Sequence, residues 1–192
     1  VSEHTGQLET RVRQRTEELE QLAFRDGQTG IANRRGFIAA FEALPGDRQH
    51  GLLLIDIDRF KNINDSFGHA AGDAVVSAVA ASIGNAIGAA DVCARWGGDE
   101  FIVLLHDCGP RQLNVAAQAV MRAIGEHPIG LPDGRPCAVT ISVGACLLRA
   151  GDTIDMAVEM ADAALYMAKE GGRDQVVIFD PQTVVRPQFA QN

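Results

Sequence analysis

Arg95-Trp96-Gly97-Gly98-Asp99-Glu100-Phe101 sits between two apolar runs, Asp91-Val92-Cys93-Ala94 before it and Ile102-Val103-Leu104-Leu105 after it. A glycine pair in that setting predicts a tight β-hairpin, because glycine tolerates the positive φ of primed two-residue turns. Two acids follow at once. Asp and Glu are poor strand residues, so Asp99 and Glu100 at a hairpin mouth contribute nothing to folding and point to a ligand. Taken alone, the heptapeptide could equally be a solvated turn. A second acidic group upstream favours the ligand.

That group closes the run Gly51–Asp58, which is continuously apolar until Asp56-Ile57-Asp58 and predicts a buried central strand. Strand alternation puts Asp56 and Asp58 on one face and Ile57 on the other. Upstream, Asn33 is placed to cap a helix running to Leu44. Downstream, helices are predicted over about 70–87, Leu113–Gly125 and Asp152–Lys169, with strands over Ala138–Leu148 and Gln175–Phe179. In the last helix Ala157, Met160, Ala161, Ala164, Leu165 and Ala168 form one apolar face. The order is βαββαβ with an additional helix in front. It predicts an α+β, ferredoxin-like or palm-type fold: an antiparallel-containing sheet with helices on one face. In such a sheet the first strand and the hairpin are neighbours, so Asp56 and Asp58 approach Asp99 and Glu100.

At 192 residues the chain accommodates one domain plus an appendage, and its net charge is −8. That balance offers no bulk attraction to nucleic acid or to an anionic membrane, so a polyanionic ligand must be held by local cations or a metal. Cys93, Cys108, Cys137 and Cys146 have neither CxxC nor zinc-ligand spacing. They read as small buried hydrophobes of a reducing compartment. With no secretory leader at Ser2-Glu3-His4 and no stretch apolar enough to span a bilayer, the expected location is cytoplasmic, without membrane insertion. Residues 5–24 carry a sparse stripe of Leu8, Val12, Leu19 and Leu22 with Arg15 on the same seam. This is an a/d pattern for a two-stranded coiled coil, or else an amphipathic helix packed back on its own domain.

Asp56 and Asp58 from the strand, with Asp99 and Glu100 from the hairpin, form an oxygen-only set suited to Mg²⁺, with Mn²⁺ possible. Packed acids repel one another and raise their own pKa values, a penalty that divalent cations relieve. Two-metal phosphoryl chemistry uses such a set to activate an attacking oxygen and stabilise a leaving pyrophosphate. Between the acid groups lie Asn64 and Asp73. A carboxylate accepts both N1–H and N2–H of guanine, a pair adenine lacks, and an amide serves the remaining edge. Alone, they would be a loop residue and a first-turn helix acid. Lys169 and Arg173, four apart where the last helix runs into Gly171-Gly172, either complement the helix dipole or meet phosphates.

Five motifs in order carry a family resemblance: Asp26-x-x-Thr29-Gly30-x-x-Asn33-Arg34-Arg35; Asp56-Ile57-Asp58-x-Phe60-Lys61-x-Ile63-Asn64-Asp65; Gly68-His69-x-x-Gly72-Asp73; Gly97 to Phe101; and Ala161-Asp162-x-Ala164-Leu165-Tyr166-x-Ala168-Lys169-x-x-Gly172-Arg173. Together they resemble the GGDEF family, the diguanylate cyclases, over roughly Asp26 to Phe179. The resemblance implies condensation of two GTP molecules to cyclic di-GMP in a homodimer of half-sites. It assigns Asp56, the Ile57 carbonyl, Asp99 and Glu100 to metal, with Asp99 and Glu100 at the chemistry. Asn64 and Asp73 match the guanine readers, with His69 beside them. Phe60 and Lys61 match positions whose backbone faces phosphates, and Lys169 and Arg173 match the phosphate-contacting pair.

The resemblance also divides the chain into a signalling helix over 1–25, the cyclase domain over 26–180, and a tail over 181–192 that could lead to a further domain. The helix resembles linkers that join an upstream sensor domain to this output domain. Two positions depart from the family. Gly88 stands where many members carry the arginine of an inhibitory Arg-x-x-Asp that ends here at Asp91, and Gln28 replaces the usual leucine, a change expected to alter packing more than chemistry. A non-catalytic domain binding GTP or cyclic di-GMP is the alternative, and it predicts damage in the signature or metal positions, which are intact.

Overall fold

The computed structural model describes residue 11 and residues 23–181. The predicted coiled-coil stripe and the tail over 182–192 lie outside the described residues. Among the described residues no helix is long and apolar enough to cross a membrane.

Strand β1 (His50–Ile57) is the spine of a five-stranded sheet. It pairs antiparallel with β3 (Glu100–Leu105) on one side and with β6 (Ile141–Leu148) on the other. The signature hairpin adds β2 (Val92–Arg95) beside β3, and β7 (Val176–Ile178) joins β6 in parallel, giving the order β2-β3-β1-β6-β7. A two-stranded hairpin, β4 (Ile129–Gly130) with β5 (Pro136–Cys137), forms a separate small sheet. The predicted palm-type core is therefore present, with α3 (His69–Ala86) and α4 (Pro110–Gly125) as its two crossover helices.

Helices cover both faces rather than the single face expected. Leu53, Ile55 and Ile57 of β1 pack with Val75, Val79 and Ile83 of α3 and Leu113, Ala117 and Val120 of α4. Leu52 and Leu54 pack on the opposite face with Phe37 of α1 (Arg34–Glu42) and Ala157, Ala161 and Leu165 of α5 (Ile154–Glu170). The cause is visible in β1: Leu52 through Ile55 are all at most 2% exposed, which requires two covering layers. The caps match the sequence. Asn33 accepts the Gly36 N–H at 2.9 Å, and Thr153 accepts the Met156 N–H at 3.3 Å. An element the sequence reading passed over is α2 (Phe60–Phe67), so Asn64 lies on a helix rather than in a loop.

Helix α5 lies so close to β6 that Gly144 tolerates no side chain. A Cβ there would overlap the Ala161 carbonyl and the Leu165 amide, both helix backbone. Neither partner can step aside as a flexible side chain would. Gly144→Ala is expected to lower unfolding free energy by roughly 2–3 kcal/mol in urea titrations. An unchanged midpoint would show that α5 can ride outward.

Candidate active site

The register of β1 and β3 places Asp56 directly opposite Glu100, and paired residues of antiparallel strands share a face. The Ile57 N–H donates to the Asp99 carbonyl at 3.2 Å, which seats the signature loop against the end of β1. Asp56, Ile57, Asp99 and Glu100 are thus brought together. Lys169, in the last turn of α5, reaches the same place: Nζ lies 2.9 Å from Asp56 Oδ2, in a part-buried ion pair.

Burial lifts the Asp56 carboxyl above the usual carboxylate range; Lys169 opposes this, while Asp99 and Asp58 add to it. Burial also lifts Glu100, reinforced by Asp56, Asp99 and Asp162 and opposed by Lys169. Asp162 stands two turns before Lys169 on α5, on the same helix face. Among the described residues no three acid, histidine or cysteine side chains are arranged so that they alone could hold a metal ion. The charge at Asp56 is met by an ammonium instead.

Asp58 departs from its expected place in this cluster. Strand β1 ends at Ile57, so the alternation does not carry Asp58 to the open side. Its carboxylate is buried and accepts hydrogen bonds from Ser142 Oγ (2.6 Å), Thr140 Oγ1 (2.7 Å) and the Asp174 N–H (3.1 Å). Those contacts tie down the turn after α5, where Gly172, Arg173 and Asp174 all have positive φ. The exposed Arg173 is therefore carried on a turn anchored two residues from Asp56.

The hairpin is not the tight primed turn expected. Its loop spans Trp96–Asp99, and neither Gly97 nor Gly98 has positive φ. Both the Trp96 and Gly97 N–H groups donate to the Glu100 carbonyl, at 2.8 and 3.2 Å. Arg95 braces the loop from below: Nη2 and Nε donate to the Gly98 carbonyl at 2.7 and 3.2 Å, and Nε also donates to the Gly97 carbonyl at 3.1 Å. Arg95 Nη1 donates to Asp26 Oδ1 at 3.3 Å and to Gln28 Oε1 at 2.7 Å. Burial alone would raise the Asp26 carboxyl, but the Thr29 hydroxyl and N–H together with Arg95 hold it below the usual range.

Arg59, at φ 54°, turns the chain sharply from β1 into α2. Phe60 and Lys61 open that helix, where N–H groups have no intrahelical acceptor. Phe60 is half-buried against the core and Lys61 is exposed. Asn64 lies against Gly72 of α3: a Cβ at Gly72 would overlap Asn64 Oδ1 and sit 3.2 Å from the Phe60 ring. Glycine at 72 is therefore what lets α2 and α3 close together, and Asp73 is the next residue. Asn64 and Asp73 are brought together, with the exposed His69 one turn earlier on α3.

The sequence reading missed Arg95, Asp162 and the use made of Gln28. Gln28 Nε2 donates to the Asp73 carbonyl and carboxylate at 3.1 and 3.2 Å. The signal for Asp162 was its seven-residue spacing from Lys169. On the far side of the sheet end, a shallow cavity of about 390 Å³ is lined by Gly88, Asp91, Arg111 and Gln112. There Asp91 accepts the Gly88 and His106 N–H groups, each at 2.8 Å.

The family model described as "Diguanylate cyclase, GGDEF domain" matches residues 23–175. The chain is 36% identical over 181 residues to the probable diguanylate cyclase DgcE of Escherichia coli, covering 90% of this chain and 16% of that protein. It is 37% identical over 169 residues to the diguanylate cyclase DgcM of the same organism, covering 84% and 40%. The chain thus spans well under half the length of these relatives. A solved structure of the coiled coil and GGDEF domain of DgcB from Caulobacter crescentus, in complex with c-di-GMP, superposes with a TM-score of 0.82 at 30% identity, covering 92% of this chain and 96% of that one. The chain belongs to the GGDEF family of diguanylate cyclase domains.

Proposed function

We propose that this domain condenses two GTP molecules to cyclic di-GMP, one held on each of two domains that meet face to face, with release of two pyrophosphates. The observation that carries this is the opposition of Asp56 and Glu100 beside Asp99, with Asn64 and Asp73 presented together from α2 and α3.

The residues fit Mg²⁺ or Mn²⁺. Their donors are all hard oxygens, an ammonium already answers the charge at Asp56, and two carboxyls are lifted above their ordinary range. Asp56, the Ile57 carbonyl, Asp99 and Glu100 would hold the ion, which when bound supplies charge stabilisation at the reacting phosphoryl group and makes the 3′-hydroxyl easier to deprotonate. The chain does the rest. Asp73 accepts guanine N1–H and N2–H while Asn64 serves the remaining edge, with His69 beside them. The N–H groups of Phe60 and Lys61, at the open end of α2, donate to phosphate oxygens. Lys169 exchanges Asp56 for the triphosphate and Arg173 joins it there, so the distal phosphates are neutralised as pyrophosphate leaves. Asp99, with Glu100 beside it, takes the proton from the 3′-hydroxyl on a carboxylate oxygen. The attacked phosphorus belongs to the nucleotide on the other subunit. Residues 1–25, as a signalling helix below an upstream sensor, would set how the two half-sites meet.

GTP turnover with Mg²⁺, assayed at several protein concentrations with products separated chromatographically, tests this. Specific activity should rise with concentration and yield cyclic di-GMP, and Leu19→Glu should shift that rise to higher concentration. GTP binding without product at any concentration would replace the cyclase with a regulatory binding domain.

Glu100→Gln separates chemistry from folding. It should abolish turnover yet stabilise the metal-free protein at pH 7 by about 0.2–1 kcal/mol, the scale of a like-charge cross-strand pair, toward the low end because the group is partly solvated. The sign follows from the raised Glu100 carboxyl. Ionising it penalises the native state, so the stabilisation is fully present above its native-state titration, fades as pH falls from there to the ordinary carboxylate range, and is absent below that range. Equal thermal stability of wild type and variant at pH 7 would remove the repulsion.

At the cavity beside Gly88, Asp91 is already committed to the Gly88 and His106 N–H groups, and glycine supplies no cation at 88. Cyclic di-GMP should therefore inhibit steady-state turnover only weakly. A sub-micromolar inhibition constant would contradict this.

A further inference from the structure

Gln28 joins two parts of the site through a single amide. Its nitrogen faces Asp73, donating to the backbone carbonyl at 3.1 Å and to Oδ1 at 3.2 Å; its oxygen accepts from Arg95 Nη1 at 2.7 Å. The chemistry of the partners fixes the amide's orientation. Arg95 only donates, and the Asp73 oxygens only accept, so a flipped amide would lose all three contacts.

Both acceptors on Asp73 belong to one residue, and that is the informative point. An exposed aspartate on a helix is otherwise free to rotate about χ1. One N–H₂ group bridging its own carbonyl and carboxylate selects the rotamer in which the two oxygens lie on the same side. A carboxylate offers about four acceptor positions. Gln28 occupies one on Oδ1, leaving Oδ2 and the remainder of Oδ1 for a pair of adjacent ligand N–H donors. On its other side, Gln28 leans on the guanidinium that holds the Gly97 and Gly98 carbonyls, next to Asp99. A leucine at position 28 could make none of these bonds.

Building on the assignment of Asp73 to guanine, we infer that Gln28 is a positioning residue for base recognition. It presets the Asp73 carboxylate for the N1–H and N2–H₂ edge of a guanine nucleotide and couples that edge to the signature loop through Arg95. Discrimination between guanine and hypoxanthine, which lacks only the 2-amino group, reports this directly. A general structural role would weaken both ligands alike.

The test is equilibrium binding of GDP and IDP, which have no pyrophosphate to lose, by calorimetry on wild type, Gln28→Leu, Gln28→Glu and Asp73→Ala. Thermal melts check that each variant is folded. Gln28→Leu should reduce the GDP preference over IDP by about three- to tenfold, the scale of one hydrogen bond and one restricted rotamer. Gln28→Glu keeps an acceptor for Arg95 but faces Asp73 with a like charge, so its preference should fall at least as far. A wild-type preference in both Gln28 variants overturns the inference, provided that Asp73→Ala loses discrimination. A loss in Gln28→Leu alone also overturns it, because the Arg95 contact would then be what matters. Wild-type discrimination in Asp73→Ala overturns the assignment of Asp73 underneath.

Discussion

Two carboxylates paired across antiparallel strands are a standing repulsion, and the opposition of Asp56 and Glu100 is fixed by the register of β1 against β3. Like charges in that position are destabilising by a few tenths to about 1 kcal/mol. The penalty persists because β1 is held elsewhere. Leu52, Leu53, Leu54 and Ile55 are almost wholly buried, each contributing about 1.5–3 kcal/mol, and helices cover both of its faces. A one-residue slip that set Asp56 opposite Phe101 would relieve the acids but would turn every one of those side chains to the wrong layer. The core thus forces the acids together, and the site depends on a register that the acids themselves disfavour.

Around that pair the protein sorts its carboxylates by what each is bonded to. Asp58, two residues from Asp56, accepts three protein hydrogen bonds and has become part of the frame. Its Asp174 contact secures a turn with three consecutive left-handed residues, a conformation that two non-glycine residues adopt only when their surroundings impose it. Asp56 instead meets one ammonium on a flexible stem. The same sequence pattern, Asp-x-Asp, yields one carboxylate bonded into the frame and one facing Glu100 at the hairpin mouth, because the strand stops between them.

Much of this was legible in the sequence because the signals were periodic or chemically loud. The apolar run of β1, the Asn33 cap and the apolar face of α5 appeared where their spacing put them. Asp56, Asp99 and Glu100 stood out because acids at strand ends seldom serve folding, but Asp58, which does, was not separable from them in the sequence. What escaped detection was local. Helix α2 carries only Phe60, Ile63 and Phe67 as its apolar edge among residues that resemble a loop. The β4–β5 hairpin is too short to have a period. Helices on the second face followed from the unbroken burial of β1, a consequence the βαββαβ order alone does not contain. Arg95 and Gln28 were unreadable as partners, since 67 residues separate them and only the closed sheet brings them within 2.7 Å.

Lys169 joins the charge of the site to the core of α5 through one flexible side chain. In the structure it is counter-ion to Asp56, with about a third of its side chain exposed. A lysine is a point charge on a flexible stem, so its head can move several ångströms without disturbing Ala164, Leu165 and Ala168, which anchor α5 in the core. On the function proposed above, Asp56 committed to a divalent ion would release the ammonium, and a triphosphate would offer it a new partner. Binding of metal and of nucleotide would then be coupled through one side chain, each making room for the other. The buried face of α5 keeps the start of that stem fixed, and so limits where its charge can go.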